Sequence, residues 1–199
     1  MPRSPRKISS TGRYHVVLRG NNQFQIFFDE EDYQKFYALL VRYKKECGYK
    51  CHAWCMMPNH IHLLIEINEY TLSQIMQRLT TAFVIWYNRK YHRVGHVFEG
   101  RFFSEPIESD EYFFKAFRYI NMNPVKGGIC SKPEEFQHSS YNTYFNSGLF
   151  PEDYLYFGLY TREEFIDFHL KKNDDQFLDI DYHYFLHKSE GSDTAYRQP

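Results

Sequence analysis

The sequence has no run of about 18 apolar residues, so no membrane-spanning helix is expected. The polar, basic stretch Met1–Arg13 has no apolar core, which argues against a secretory signal. There are four cysteines, Cys47, Cys51, Cys55 and Cys130, and their spacing does not suggest a disulfide framework. Reduced thiols and a cytoplasmic location are expected. Cys51 and Cys55 lack the C-x2-C spacing of zinc knuckles, which leaves zinc a minor rival reading. There is no internal repeat and no large net charge, the total being −1. What the chain does have is aromatic residues, 18 Tyr and 19 Phe. They can fill a core, and they can also stack on unpaired bases. The length of 199 residues suits one domain with an appendage.

The near-zero net charge hides an asymmetry. Residues 1–132 hold 19 Lys and Arg against 12 Asp and Glu, a net of +7. Residues 133–199 hold 5 against 13, a net of −8. This pattern predicts a basic working domain over 1–132 and an acidic C-terminal extension over 133–199.

Hydrophobic periodicity gives the order β-α-β-β-α-β-α. Arg13–Arg19 alternates and is β-branched, as a strand should be. Asp29–Cys47 reads as a helix stopped by Gly48. Tyr49–Met57 and His60–Ile67 read as a hairpin turning at Pro58-Asn59. Thr71 to about Tyr91 is a second helix, and Phe102–Ile107 is an edge strand containing Pro106. A third helix starts at the Ser109 cap and is expected to end near Met122, because Pro124 biases Asn123 away from helical geometry. The fold class is therefore α+β, a ferredoxin-like split βαβ antiparallel sheet. Its helices are expected on one face, leaving the other face open. Phe136–Phe145 and Tyr154–Phe168 look partly helical, and Glu190–Pro199 reads as disordered.

Two clusters carry chemistry. His60 and His62 are two apart in a strand, so both imidazoles project from one face and can hold one divalent ion. Tyr119 and Asn123 are four apart, so they share a helix face if the helix holds that far. The Asn123 amide oxygen could then be a third ligand, and Tyr119 would lie beside the same metal. Mg2+ or Mn2+ suits phosphate oxygens. Such a site would polarise a scissile phosphate while Tyr119 attacks in line and forms a 5′-phosphotyrosine link. Tyr112, seven residues earlier, is the rival nucleophile, but it has Ala116 four residues on.

Met57-Pro58-Asn59-His60-Ile61-His62-Leu63-Leu64 resembles the HUH motif of the REP-associated tyrosine transposases, members of the single-tyrosine HUH superfamily. Tyr14-His15-Val16, Arg19-Gly20-Asn21-Asn22, Gly95–Phe102, Arg118–Val125 and Ser139-Ser140-Tyr141 resemble further segments of that family in the same order. The resemblance spans roughly residues 13–145. It implies metal-dependent cleavage and rejoining of single-stranded, hairpin-flanked DNA. It implies His60 and His62 as ligands and Tyr119 as nucleophile, with Asn123 where mobile relatives often carry Gln. Arg13, Arg19, Asn21, Asn22, His96, Arg101 and Lys126 are the candidate DNA contacts. A homodimer is left open, with the tyrosine helix working in cis or across it. Two rival readings stand: a domesticated hairpin-binding protein without cleavage, and a metallohydrolase that uses water as nucleophile.

Overall fold

The computed structural model describes residues 6–144 and 162–170. Four strands, β1 (Arg13–Arg19), β2 (Lys50–Met57), β3 (His60–Glu66) and β4 (Phe103–Ile107), form an antiparallel sheet in the order β2-β3-β1-β4. Four helices accompany it: α1 (Glu30–Cys47), α2 (Leu72–Lys90), α3 (Asp110–Lys126) and α4 (Arg162–Leu170). This is the expected split βαβ arrangement, with Pro106 on an edge strand, where its missing N–H costs no ladder bond. Among the described residues no helix is long and apolar enough to cross a membrane.

Local chemistry sets the helix ends. Asp29 and Asp32 close a capping box at the start of α1, and Thr71 and Gln74 do the same for α2. Gly48 ends α1 with φ of 66°, a left-handed geometry that glycine adopts without strain. Alternation along the strands then divides the side chains between two cores. Val16, Leu18, Trp54, Met56, Ile61 and Leu63 face α1 and α2, where they meet Phe36, Leu40, Leu79 and Phe83. Truncating a side chain such as Phe83, which is fully buried, to alanine costs about 3–5 kcal/mol.

The opposite face is not open. Ala53, Cys55, Met57 and Leu64 pack there against Phe113, Ala116, Phe117, Tyr119 and Ile120 of α3. An amphipathic helix must bury its apolar stripe, and this sheet face is the surface available to α3. A register shift in β2 between Cys51 and Ala53 breaks the alternation and puts Cys51 in the first core and Cys55 in the second, so the pair cannot share a zinc ion.

The start of the extension joins this second core. His138–Ser140 runs beside edge strand β2, with Met56 N–H donating to His138 O at 2.9 Å and Ser140 N–H to Trp54 O at 2.8 Å. Phe136, Tyr141 and Phe165 are buried against α3. Within the expected helical stretches, residues 142–144 form one 3-10 turn and α4 covers 162–170. The segments 145–161 and Glu190–Pro199 lie outside the described residues.

Helix α3 does not end near Met122. It runs through Pro124 to Lys126. Proline forfeits its own N–H donor, and its ring crowds the carbonyl four residues earlier. The donors that follow are satisfied: Gly127 N–H bonds Asn123 O at 2.8 Å, and Ile129 N–H bonds Pro124 O at 2.9 Å. Pro124 is itself buried, and that packing outweighs the local bias against helix before proline. Asn123 therefore stays on the helix, on the face of Tyr119.

Candidate active site

Strand register brings the histidines to one end of the sheet. His60 lies opposite Arg19, and His62 opposite Val17. Their rings are 4.9 Å apart and nearly perpendicular. The second half of α3 crosses above them. His60 Nε2 is 3.2 Å from Asn123 Oδ1, and the Tyr119 ring lies 5.6 Å from that of His62. Two motifs some 60 positions apart in sequence thus meet across one sheet–helix interface.

Sequence reasoning missed two members of this cluster. His15 Nε2 is 3.0 Å from His62 Nδ1, and the His15 ring stands edge-on to Tyr119 at 5.8 Å. Asn59 Oδ1 meets His60 Nδ1 at 2.7 Å. Alternation could have found His15, since positions 15, 17 and 19 of β1 share the face of His60 and His62. Asn59 sits in the hairpin turn, where sequence gives no direction to the side chain.

The polar groups are not all satisfied. Among the described residues, His62 Nε2 is buried without a hydrogen-bond partner, and so is His15 Nδ1. Burial foremost, then the charges of His60, His15 and Arg19, pushes the His62 imidazole well below its ordinary range. Burial pushes His15 down to about 3. Both rings are neutral at physiological pH, the form in which imidazole binds metal.

This donor set fits a divalent ion. If His60 Nδ1–H donates to Asn59, the Nε2 lone pair faces the Asn123 oxygen, leaving two acceptors 3.2 Å apart with no proton between them. Adjacent ligands of an octahedral ion at about 2.1 Å have comparable separation. His62 Nε2 is a third donor atom without a partner. Among the described residues no group of three His, Cys, Asp or Glu side chains could hold a metal.

Tyr119 is 2 % exposed. The exposed Lys126 holds its ammonium 4.6 Å from the Tyr119 ring centre. From behind, α3 is tethered through Asn121, which points away from Tyr119. Ser140 Oγ donates to Asn121 Oδ1 at 2.7 Å, and Asn121 Nδ2 is 3.3 Å from His169 Nε2. Arg118 Nε donates to the His169 carbonyl at 3.3 Å. Tyr112 is half-buried two turns away, its phenol pushed up to about 12 by burial and Glu105.

The candidate DNA contacts separate. Arg19 is half-buried beside His60, and Asn21 and Asn22 form the turn that follows it. Asn21 N–H bonds Val97 O, and Glu99 N–H bonds Arg19 O, so the loop carrying His96 and Arg101 folds against this end. Gly20 permits the turn, because a Cβ there would collide with the Phe24 carbonyl. Arg13 sits at the other end of β1. It is paired with Glu66 at 3.1 Å and Asp110 at 2.7 Å.

A family model described as "Transposase IS200 like" matches residues 8–123, more than half of the chain. The chain belongs to this IS200-like transposase family. The match begins before β1 and ends on Asn123, so it spans every element of the sheet and the site face of α3. Among curated relatives, this transposase is 27 % identical over 126 residues to a protein of Haemophilus influenzae assigned as a REP-associated tyrosine transposase, covering 56 % of this chain and 72 % of that one. It is 22 % identical over 126 residues to the REP-associated tyrosine transposase of Escherichia coli K12, covering 61 % and 72 %. A solved REP-associated tyrosine transposase bound to a REP hairpin superposes with a TM-score of 0.63 at 20 % identity, covering 77 % of this chain and 90 % of that one. That likeness establishes the shared fold.

Proposed function

We propose that this chain cuts and rejoins single-stranded, hairpin-flanked DNA through a 5′-phosphotyrosine on Tyr119, with Mg2+ or Mn2+ held by His60, His62 and Asn123. The observation that carries this reading is the meeting of Tyr119 with two neutral, incompletely satisfied histidines and the Asn123 oxygen. A bound divalent ion would supply charge neutralisation at the scissile phosphate and at the leaving 3′ oxygen. In the cut, Tyr119 Oη bonds to phosphorus as the P–O3′ bond breaks. The phenol gives up its proton and the 3′ oxygen gains one, so protons balance. The link keeps the phosphodiester's energy, and attack by a 3′ hydroxyl reverses it.

The other residues hold and shield. His15 accepts the Nδ1–H of His62 and so turns the His62 Nε2 lone pair toward the site, as partners of metal-ligating histidines commonly do. Arg19, Asn21 and Asn22 offer donors to the strand at the His60 end, with His96 and Arg101 beyond them. Lys126 covers the Tyr119 ring and can swing to a phosphate when DNA arrives. The hairpin preference follows the solved REP-associated tyrosine transposase, which is bound to a REP hairpin. The basic charge of residues 1–132 supports DNA as the partner.

The test is a denaturing gel of wild type and Tyr119→Phe with labelled hairpin DNA, in Mn2+ or in EDTA. A covalent adduct seen only for wild type in Mn2+ supports the reading. Tight binding with no adduct from either protein would reassign the chain to hairpin binding without cleavage.

A further inference from the structure

A cleft of about 470 Å³ lies on the far side of the 96–102 loop from the histidines, walled by α2. Its volume falls within the roughly 300–1,000 Å³ of ordinary small-ligand pockets. Its wall on α2 is polar, with Ser73, Gln77 and Thr81, and the exposed Ile85 stands beside them. Two guanidiniums reach it, Arg6 and Arg101. Arg6 lies 3.7 Å over the Phe102 ring and donates to Phe102 O at 3.2 Å and Ser73 Oγ at 3.3 Å.

The cleft lacks a balancing charge. Among the described residues no Asp or Glu lines it, and neither Arg6 nor Arg101 has a carboxylate partner. Burial, and next the neighbouring Arg101 charge, lowers the Arg6 guanidinium from its ordinary value. Arg13 and Lys90, by contrast, are half-buried cations held by carboxylates. Two adjacent guanidiniums over hydroxyl and amide groups, without a carboxylate, make a receptor for an anion with hydrogen-bonding oxygens. The apolar side of the cleft gives a flat group a surface to lie on. The inner side of the same loop is bonded to Arg19 and Asn21, next to His60. The loop therefore borders both the cleft and the histidine end.

We infer that this cleft takes one unpaired nucleotide of the DNA strand, its phosphate between Arg6 and Arg101 and its base against Ile85. This rests on the single-strand reading above and adds a second seat for the strand outside the cutting site. Two substitutions test it, Arg6→Ala and Gln77→Glu, the latter on an exposed helix position where folding tolerates a carboxylate. The probe is a labelled oligo-dT of about 15 nucleotides, with a blunt duplex of equal length as control, bound to the full chain across a salt series. Wild type is expected to favour the single strand. Each variant should lose about tenfold on it, keep its duplex affinity, and show a salt slope smaller by about 1. Unchanged oligo-dT affinity in both variants would overturn the seat, as would a wild type that binds strand and duplex alike. The adduct assay is read separately, so failure of the cleft leaves the Tyr119 chemistry to its own test.

Discussion

The two ends of this sheet carry similar residues but differ in how their charges are paired. At the far end, Glu66 gathers Arg13 at 3.1 Å, Lys50 at 3.2 Å and the buried His52 at 3.1 Å, while Asp110 takes the other side of Arg13. Charges there are matched, and the Glu66 carboxyl is pulled down to about 2, first by His52 and then by Lys50 and Arg13 against the cost of burial. At the near end, His62 and His15 are as deeply buried, yet each has a ring nitrogen with nothing to bond among the described residues. Bare nitrogens occur at both ends, since His52 Nδ1 is also buried without a hydrogen bond among the described residues, and what separates the ends is the Glu66 carboxylate that balances the cations at the far one. Polar atoms left bare inside a packed sheet are costly, and at the near end a bound ion would complete them.

The largest effect expected belongs to the near end. Tyr119→Phe should abolish the covalent adduct, a loss of at least about 10³-fold in cleavage, while hairpin affinity in a filter-binding assay stays within about threefold. Cleavage surviving in that variant would point to water as nucleophile and break the contrast between the ends. Next, His15→Ala should weaken Mn2+ binding about 10- to 100-fold by calorimetry or EPR, and His15→Gln, which keeps an acceptor for His62, should recover part of it. Equal affinity in all three proteins would remove His15 from the site.

The far end should respond in stability alone. Glu66 titrates in the unfolded chain near its ordinary 4.5 and in the folded chain at about 2. Its contribution is complete above pH 4.5 and is lost as pH falls through about 2. Glu66→Gln should cost about 1–3 kcal/mol at pH 7 by urea denaturation, and the deficit should vanish toward pH 2, with adduct yield per folded molecule unchanged. The smallest effect expected is on DNA affinity. Arg13→Ala, stripped from its carboxylates, should change it less than about twofold, whereas Arg19→Ala should weaken it about tenfold. The reverse order would return Arg13 to the DNA surface.

Much of this frame was legible in the sequence, because strand alternation and helix caps act locally. The His60–His62 pair and the Tyr119–Asn123 pair needed only the periods of strand and helix. What escaped needed tertiary packing. The end of α3 was misplaced because the bias of Asn123 before proline is a weak local preference, overridden by burial of Pro124. The covered second face was missed because nothing local says which surface α3 will choose. The pairing of Arg13 with Glu66 and Asp110 is hidden from sequence because those partners are 53 and 97 residues away. The Arg6–Arg101 cleft went unread for the same reason.

The family match stops at Asn123, but the helix carrying that residue does not stand alone. Asn121 is gripped between Ser140 and His169, both beyond the matched stretch. A fragment trimmed to the matched boundary would retain every group assigned to the chemistry and lose what sets the roll of α3 about its own axis. One residue on a helix corresponds to about 100° of rotation, so a slip far smaller than one position would carry Tyr119 and Asn123 off the histidines. Aim, in this protein, is inherited from residues that never touch the site.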